Sequence, residues 1–445
     1  MMPKQPSSSL PSSSNPHDII ALCQANVLTP KGILKDTTLQ MQNGVIKSLG
    51  ADLPANHFVR SEDVHTMQLG EDYLITPALI DLQLNGAFGV DFSAGNIPDM
   101  QKVLDTLPQY GVTGILPTLV TAPLMDMVSA TNAIEELIHF NTRANGAKVL
   151  GIHLEGPFLN PEKRGTHPKE HILPLDLDSL KLLLSPHVKM VTYAPEIDEN
   201  FELLDLLREK GILTFAGHSK VERGHLRAAK NRGLKGVTHL YNALESYTHR
   251  QAGTSLHALL EKGLWASIIA DGYHVHPEVL ELTFKMKGID KLVLVSDAMS
   301  LAGLKQGEKA RFAGTIVQNR EGRATNTEGN LAGSTQLLPD MIRNLVNWEI
   351  CSLEEAFQMA TQNPAHLLGV DDHRGSLKEG YVADLLLWHQ PTMKLLATWM
   401  GGKLRWCDEH VFRQASQGIV LNQDAIELKG SALNPSSQYK AHLTL

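Results

Sequence analysis

Histidines and carboxylates follow several apolar runs of this sequence, at the points where each run should end as a β-strand. Glu155 ends the run 151–154 and is followed by Gly-Pro, which lets the backbone turn sharply. His218 and His239 follow similar runs. One carboxylate oxygen, two imidazole nitrogens and an open fourth position form a known catalytic zinc set, in which the open position holds a water molecule. Alone, each residue has an ordinary explanation as a surface turn or a buried polar group. Together they indicate a metal-dependent hydrolase.

A hydrolase also needs a group that takes the proton of water and delivers it to the leaving atom. Asp297, after the apolar run 293–296, is placed for this role. Its structural alternative is to accept a hydrogen bond from a ligand histidine. His274 can donate to a substrate carbonyl as negative charge develops there. His276 directly precedes Pro277 at a predicted helix start and is interpreted as structural.

These residues are far apart in the sequence, so a fold that gathers strand ends must bring them together. The middle of the chain alternates strand-like with helix-like runs, which is typical of βα units and a parallel sheet. Eight strands suffice to close a barrel, whose chemistry lies at the carboxyl ends of its strands. The strands are predicted over 79–84, 112–117, 148–153, 188–193, 213–216, 236–239, 265–270 and 291–296, and the helices over 123–145, 199–210, 221–232, 277–287, 334–348 and 352–368.

The two chain ends have a different, β-rich pattern and are expected to build one sheet domain together. Asn43-Gly44 is a turn signal in the first part, and Gly401-Gly402 predicts a hairpin in the second. The segment 300–333, between the last strand and its helix, is β-prone over 310–319 and is expected to cover the barrel mouth.

The charge balance and the cysteines limit the partners and the compartment of the protein. The formal net charge is −8 and the pI is about 6.2, whereas nucleic acid or an anionic membrane as the main partner calls for a basic face. Cys23, Cys351 and Cys407 have no metal-binding or redox spacing, which indicates reduced thiols in a cytoplasmic protein. No run of about 18 apolar residues occurs, so no membrane span is expected.

Eight short motifs carry a resemblance to a known family. They are PALIDLQLNG at 77–86, HLEGPFLN at 153–160, RGTH at 164–167, AGHS at 216–219, THLYNA at 238–243, ADGYH at 270–274, VSDA at 295–298 and NLAGS at 330–334. With them the sequence resembles the N-acetylglucosamine-6-phosphate deacetylases of the amidohydrolase superfamily, from about Asp18 to Asp408.

The resemblance implies an α/β fold, a (β/α)8 TIM-like barrel with a small discontinuous β-sandwich domain built from both chain ends. We therefore expect a disordered N-terminal segment at 1–17, the first part of the β-sandwich at 18–70, the amidohydrolase barrel at 71–374, the second part of the sandwich at 375–430 and a polar C-terminal tail at 431–445. It also suggests a homodimer.

The resemblance further implies removal of acetate from N-acetyl-D-glucosamine 6-phosphate, which gives D-glucosamine 6-phosphate in amino-sugar catabolism. It implies Glu155, His218 and His239 as metal ligands, Asp297 as general acid and base, and His274 as a contact of the scissile amide. The substrate contacts expected with it are Thr166, His167, Asn242, Ala243, Arg250, Asp271, His274, Leu331, Ala332 and Gly333, with Arg250 pairing with the phosphate.

The sequence departs from related patterns at two places. Many amidohydrolases carry His-x-His after strand one for a second metal ion, whereas this chain has Gln83 and Asn85, whose amides are poor zinc ligands. Lys189 lies at the start of strand four, so no lysine near its end can bridge two metals. We therefore expect one divalent metal ion per chain, with Zn²⁺ first and Fe²⁺, Co²⁺ or Mn²⁺ as alternatives. The segment 243–249 also lacks the Met-Pro expected after Asn-Ala, which affects sugar recognition.

Three other functions stay open. N-acetylgalactosamine 6-phosphate differs from the first substrate in the configuration of one hydroxyl, and the sequence does not separate the two sugars. A cyclic-amide hydrolase is disfavoured by the missing His-x-His and by the presence of Arg250. A non-catalytic sugar-phosphate sensor has no need of a complete water-activating set and is also disfavoured.

Overall fold

The computed structural model describes residues 19–50, 64–141, 145–326, 329 and 331–408. The predicted disordered segment 1–17, the predicted tail 431–445 and the end of the second sandwich segment lie outside the described residues. Within them, no helix combines the length and the apolar character needed to cross a lipid bilayer.

Eight parallel strands, barrel strands 1 to 8 in chain order, form the central barrel, and each pairs with the next. The barrel closes where the backbone N of Asp297 donates to the carbonyl oxygen of Gln83 at 2.9 Å. The backbone N of Asn85 donates to the carbonyl oxygen of Ala298 at 2.8 Å. The predicted fold class is confirmed. The strands are Leu79–Leu84, Val112–Val120, Lys148–Val149 with Ile152–Glu155, Val188–Tyr193, Leu213–Ala216, Gly236–Val237, Trp265–Ile268 and Leu292–Leu294.

Helices surround the barrel and cover its strands, which are apolar and almost entirely buried, as expected of a parallel sheet with both faces covered. Pro277–Lys287 has its predicted bounds, with proline in the first turn, where the missing N–H costs nothing. The described helices are Ile97–Thr106, Leu124–Asn141, Leu177–Leu183, Glu202–Glu209, Arg223–Arg232, Thr254–Leu260, Pro277–Lys287, Leu338–Asn347, Leu353–Ala360 and Gln362–Leu368.

The prediction of a single helix over 352–368 is wrong, because the chain forms two helices there. Thr361 leaves helical geometry, with φ −134° and ψ −72°. Pro364 has no N–H to donate to the carbonyl group of Ala360, so an unbroken helix would lose this bond and crowd the proline ring.

The second unit is one sheet of eight strands from both chain ends. The ends join where Tyr73–Pro77 pairs with Leu385–His389, so this sheet extends past residue 70. It has its own apolar core, separate from that of the barrel. The hairpin predicted at Gly401-Gly402 is confirmed. The strands are Ile19–Thr29, Gly32–Gln42, Val45–Gly50, Val64–Gln68, Tyr73–Pro77, Leu385–His389, Lys394–Met400 and Lys403–Cys407.

A small antiparallel sheet, the mouth sheet, follows barrel strand 8 and comprises Lys309–Phe312, Thr315–Arg320 and Arg323–Asn326. Its apolar side chains pack with Val120 and Met299, at the carboxyl ends of barrel strands 2 and 8. The mouth sheet therefore lies against the barrel mouth, where the site residues were predicted.

Candidate active site

The carboxyl ends of barrel strands 3, 5 and 6 bring Glu155, His218 and His239 together. Oε1 of Glu155 lies 3.1 Å from Nε2 of His218 and 2.9 Å from Nε2 of His239, and the two nitrogens are 3.2 Å apart. All three residues are buried. Burial raises the pKa of Glu155, but the hydrogen bonds with the two histidines outweigh it and hold this pKa well below its usual range. The three predicted metal ligands thus form one compact donor set.

The backbone after Glu155 turns at once. Gly156 has a φ of +90°, and a Cβ at this position would lie 2.2 Å from Oγ1 of Thr121. Both the left-handed conformation and the close contact favour glycine. The turn therefore fixes the carboxylate at the end of a buried strand.

The hydrogen bonds of the two histidines decide which nitrogens can bind a cation. Nδ1 of His218 lies 2.9 Å from the carbonyl oxygen of Lys163. Since a carbonyl group only accepts, Nδ1 donates to it, which leaves Nε2 as the nitrogen that can bind a cation once it gives up the proton it shares with Glu155. Nε2 of His239 faces the same carboxylate, and its Nδ1 has no hydrogen-bond partner among the described residues. One carboxylate oxygen and two imidazole nitrogens suit a divalent transition metal, so these residues fit such an ion.

Two predicted metal ligands and the predicted acid–base residue have a strained backbone. The φ angles of His218, His239 and Asp297 are 49°, 32° and 46°, in the left-handed region. Residues with a side chain pay about 1 to 3 kcal/mol to stay there, and such strain clusters at active sites. The strain at the ends of barrel strands 5, 6 and 8 is what an active site at these positions would show.

Two amide side chains of barrel strand 1 join Glu155 to Asp297. Nε2 of Gln83 lies 3.2 Å from Oε1 of Glu155 and 3.1 Å from Oδ1 of Asp297. Nδ2 of Asn85 donates to the same Oδ1 at 2.7 Å. Burial, and after it the charge of Glu155, raise the pKa of Asp297 to about 6. A carboxyl group that titrates near neutral pH can both accept and release a proton.

His274 is held by Asp271, which follows barrel strand 7. Nδ1 of His274 lies 2.7 Å from Oδ2 of Asp271, which also accepts from Oγ of Ser334, and Oδ1 accepts from the backbone N of Tyr273 and His274. Burial lowers the pKa of His274, but the Asp271 carboxylate raises it above its ordinary value. Both carboxylate oxygens of Asp271, expected as a substrate contact, are already engaged within the protein. Its position indicates that Asp271 orients His274.

His167 lies beside the donor set. One ring nitrogen of His167 lies within 4.8 Å of a carboxylate oxygen of Glu155 and of a ring nitrogen of His218. However, the backbone N of Thr121 donates to Nδ1 of His167 at 3.2 Å. Burial lowers the pKa of His167 to about 3, so the ring is neutral and carries its proton on Nε2. A ring that accepts at Nδ1 presents an N–H group at Nε2 and no lone pair, so His167 is not placed in the donor set, and its contact with substrate stays a prediction.

Comparison with known protein families decides the class of the protein. The model of the amidohydrolase family matches residues 74–420. The chain belongs to the amidohydrolase family.

Two deacetylases align with this amidohydrolase over most of their length. The N-acetylglucosamine-6-phosphate deacetylase of Bacillus subtilis (strain 168) is 32% identical over 365 residues, which are 81% of this chain and 91% of the Bacillus protein. The N-acetylgalactosamine-6-phosphate deacetylase of Escherichia coli O157:H7 is 34% identical over 367 residues, which are 81% of this chain and 92% of the Escherichia protein. The crystal structure of N-acetylglucosamine-6-phosphate deacetylase from Pasteurella multocida superposes with a TM-score of 0.79 at 29% identity and covers 88% of this chain and all of that chain.

Loops of the amidohydrolase barrel carry the other predicted substrate contacts. Thr166 is half-buried beside His167. Nδ2 of Asn242 donates to the carbonyl oxygen of His239 at 3.2 Å. Arg250 is exposed, and its side chain has no hydrogen-bond or ion-pair partner in the part of the chain that the structure describes. Ala243 has a φ of 51° in the same loop as Asn242.

The loop 331–333 lies against Asp297. A Cβ at Gly333 would lie 2.9 Å from the carbonyl oxygen of Asp297, which also accepts from the backbone N of Ser334 at 2.8 Å. Ala332 is buried, whereas Leu331 is 38% exposed. The loop thus brings backbone groups close to Asp297, and its contact with substrate stays a prediction.

Sequence reasoning misses two contributions. Thr121 fixes the tautomer of His167, and it immediately follows barrel strand 2, which extends three residues beyond its predicted end at 117. With the correct strand end, the search for polar residues at strand ends finds Thr121. Lys163 orients His218 through its backbone carbonyl group, and no side-chain pattern signals this contact.

Proposed function

We propose that this amidohydrolase removes acetate from N-acetyl-D-glucosamine 6-phosphate and gives D-glucosamine 6-phosphate. The observation that carries the proposal is the donor set of Glu155, His218 and His239 next to a titratable Asp297. A water-activating cation site and a proton carrier are the parts that amide hydrolysis needs. The names of the Bacillus and Pasteurella relatives support this substrate.

Glu155, His218 and His239 are proposed to hold one divalent metal ion, Zn²⁺ first, with Fe²⁺, Co²⁺ and Mn²⁺ as alternatives. When bound, such an ion makes water more acidic and polarises the substrate carbonyl group. A donor set of one oxygen and two nitrogens accepts all four ions, so cellular supply decides among them. The neutral amides of Gln83 and Asn85 support one ion per chain.

Asp297 carries the proton in both directions. As a carboxylate it accepts a proton from the attacking water, and it then protonates the nitrogen as the carbon–nitrogen bond breaks. Its Oδ1 is held by Gln83 and Asn85, while Oδ2 has no hydrogen-bond partner among the described residues. Oδ2 is therefore the oxygen that meets the water and the leaving nitrogen. A pKa of about 6 leaves the group mostly ionised at neutral pH.

His274 donates to the carbonyl oxygen of the substrate while negative charge develops on it. Asp271 occupies Nδ1 of His274 and raises the pKa of the ring, so Nε2 carries a proton directed away from Asp271. Removing one such donor typically costs about 10²- to 10³-fold in turnover.

Loop residues hold the rest of the substrate. Arg250 is proposed to bind the phosphate, because a planar guanidinium can donate two parallel hydrogen bonds to it. The sugar and the phosphate are further contacted by Thr166, His167, Asn242, Ala243 and the backbone of Leu331, Ala332 and Gly333.

N-acetylgalactosamine 6-phosphate is the second candidate substrate, supported by the name of the Escherichia relative. The deciding experiment compares kcat/KM for acetate release from the two sugar phosphates, with metal-depleted protein as the control. We expect a higher value for the glucosamine derivative and no release without metal. A higher value for the galactosamine derivative reverses the assignment. Binding of both sugars without acetate release from either would identify a sugar-phosphate sensor instead.

The assembly and the compartment stay predictions. A homodimer predicts twice the mass of the chain in solution by light scattering, and a monomer would contradict it. A cytoplasmic location is checked by cell fractionation.

A further inference from the structure

A basic cleft opens at the end of the barrel opposite the active site. It has a volume of about 400 Å³ and lies where barrel strands 6, 7 and 8 begin. Its lining includes Lys230, Lys235, Trp265, Lys291 and His366, and among the described residues no acidic side chain lines it. The cleft is separated from the predicted site residues by the length of the barrel strands.

Two of the three lysines carry charges that no carboxylate balances. Lys235 is exposed and Lys291 is half-buried, and neither forms an ion pair within the described ranges. Nζ of Lys291 lies 4.4 Å from the ring centroid of Trp265, which is only 8% exposed. The ring of His366 stands 5.9 Å from that of Trp265. The cleft thus has an aromatic wall and two ammonium groups without a carboxylate partner, in a chain whose net charge is −8, and the nearby Asp371 carboxylate pairs with Nδ1 of His366 at 2.8 Å.

The third lysine belongs to a neighbouring cluster that does not neutralise the cleft. Nζ of Lys230 lies 2.8 Å from Oε2 of Glu261, whose other oxygen pairs with Arg227. These hydrogen bonds hold the pKa of Glu261 at about 2. Beside it, burial and then the charge of Lys291 lower the pKa of Lys287 to about 8. Next to the cleft, the cationic side chains of Arg227, Lys230 and Lys287 therefore outnumber the single carboxylate of Glu261.

We propose that the basic cleft binds a small molecule that carries two or more phosphate groups. A single phosphate monoester has a charge of about −1.5 to −2 at pH 7, less than Lys235, Lys291 and the excess positive charge of Lys230, Arg227 and Lys287 over Glu261 supply together. Lysine ammonium groups bind phosphate as point charges. Small-molecule sites usually have volumes of about 300 to 1,000 Å³, a range that includes this cleft. The site is independent of the proposed deacetylation.

The probe is inorganic pyrophosphate, titrated into the full chain and followed by tryptophan fluorescence, since Trp265 lies under Lys291. We expect a saturable change. The double variant Lys235→Ala with Lys291→Ala should weaken binding by about tenfold or more, because each ammonium loses a charge-assisted contact with phosphate. The matched control is Lys31→Ala with Lys35→Ala. It makes the same charge change at exposed positions of the eight-stranded sheet and should leave the Kd unchanged.

Comparison of ligands tests the number of phosphates. Inorganic monophosphate should bind more weakly than pyrophosphate. A nucleoside diphosphate that binds more tightly than pyrophosphate assigns the ligand to nucleotides, whereas equal binding assigns it to inorganic polyphosphates. Unchanged pyrophosphate affinity in the Lys235 and Lys291 double variant would locate binding elsewhere, including the barrel mouth, and overturn the proposal. Equal weakening in the control pair would do the same, because it would show an effect of net charge alone.

Discussion

The two sides of the barrel mouth use equivalent strand-end positions in opposite ways. Barrel strands 3, 5 and 6 present Glu155, His218 and His239, whose Oε1 and two Nε2 atoms converge within 3.2 Å of one another. Barrel strand 1 presents Gln83 and Asn85, whose N–H groups are directed at carboxylates. The first side can hold a cation, whereas on the second side amide hydrogens take the place that a cation would have. The difference explains why we expect one metal ion.

The largest effect is expected where the two sides meet, at Asp297. Asp297→Asn removes the proton carrier and should lower kcat by about 10²- to 10⁴-fold while the protein keeps its metal, because Asp297 is not in the donor set. Kinetics and elemental analysis of the same sample measure both. Asp290→Asn, the same change near the opposite end of barrel strand 8, should have normal activity. Near-normal turnover of Asp297→Asn would remove this residue from the mechanism.

On the cation side, Glu155→Gln should weaken metal binding and activity together. The change replaces a charged oxygen ligand by a neutral amide, and we expect a loss of at least about 10²-fold in metal affinity, since even residues that only orient ligands contribute about 10- to 100-fold. Competition with a chelator measures the affinity. Glu162→Gln, at an exposed position a few residues further on, is the control. A Glu155→Gln protein with its metal and its activity intact contradicts the donor set.

On the amide side, Asn85→Leu should have a smaller effect, about 10- to 100-fold on kcat/KM, because it removes one hydrogen bond to a charged group. The Asn85 donor lowers the pKa of Asp297, so its loss should raise that pKa. The acidic limb of the pH profile, which reports ionisation of the base, should then move to higher pH. Asn347→Leu at an exposed helix end should leave the profile in place. An unshifted limb in Asn85→Leu means that Asn85 does not tune the base.

The smallest effect that we predict is a change in metal content when the amide side is converted to the cation side. Gln83→His with Asn85→His supplies two imidazole ligands opposite Glu155 and Asp297, and elemental analysis should then find more than one metal ion per chain. The parent protein is the control. If the variant still holds a single ion, the amides are not what limits the site to one metal.

Much of the fold was predictable because each element carries a local signal. The apolar run 188–193 and the Pro277 start of helix Pro277–Lys287 correspond to the observed bounds. The helix predicted over 352–368 failed at a single position. The chain leaves helical geometry at Thr361, before Pro364. The mouth sheet shows the same effect, since Ala313-Gly314, with both φ angles positive, divides the β-prone run 310–319 into two strands.

Glu155, His218, His239 and Asp297 could be found from strand ends and the loop residues only from the family resemblance, whereas the roles of the site residues depend on contacts between distant parts of the chain. The tautomer of His167 depends on the backbone N of Thr121, and Oδ2 of Asp271 accepts a hydrogen bond from Ser334, 63 residues away. The basic cleft has no local pattern, because Lys235 and Lys291 lie on different βα units. Sequence reasoning identifies side chains that end a strand, whereas it does not identify which neighbour each of them meets.

The central claim is that one metal ion, held by Glu155, His218 and His239, supports amide hydrolysis with Asp297 as the proton carrier. Its most direct test is to titrate metal-free protein with Zn²⁺ and to measure acetate release from N-acetyl-D-glucosamine 6-phosphate. We predict no release at the start and a rise to a plateau at about one equivalent per chain. Acetate release without metal, or a plateau only at about two equivalents, would contradict the claim.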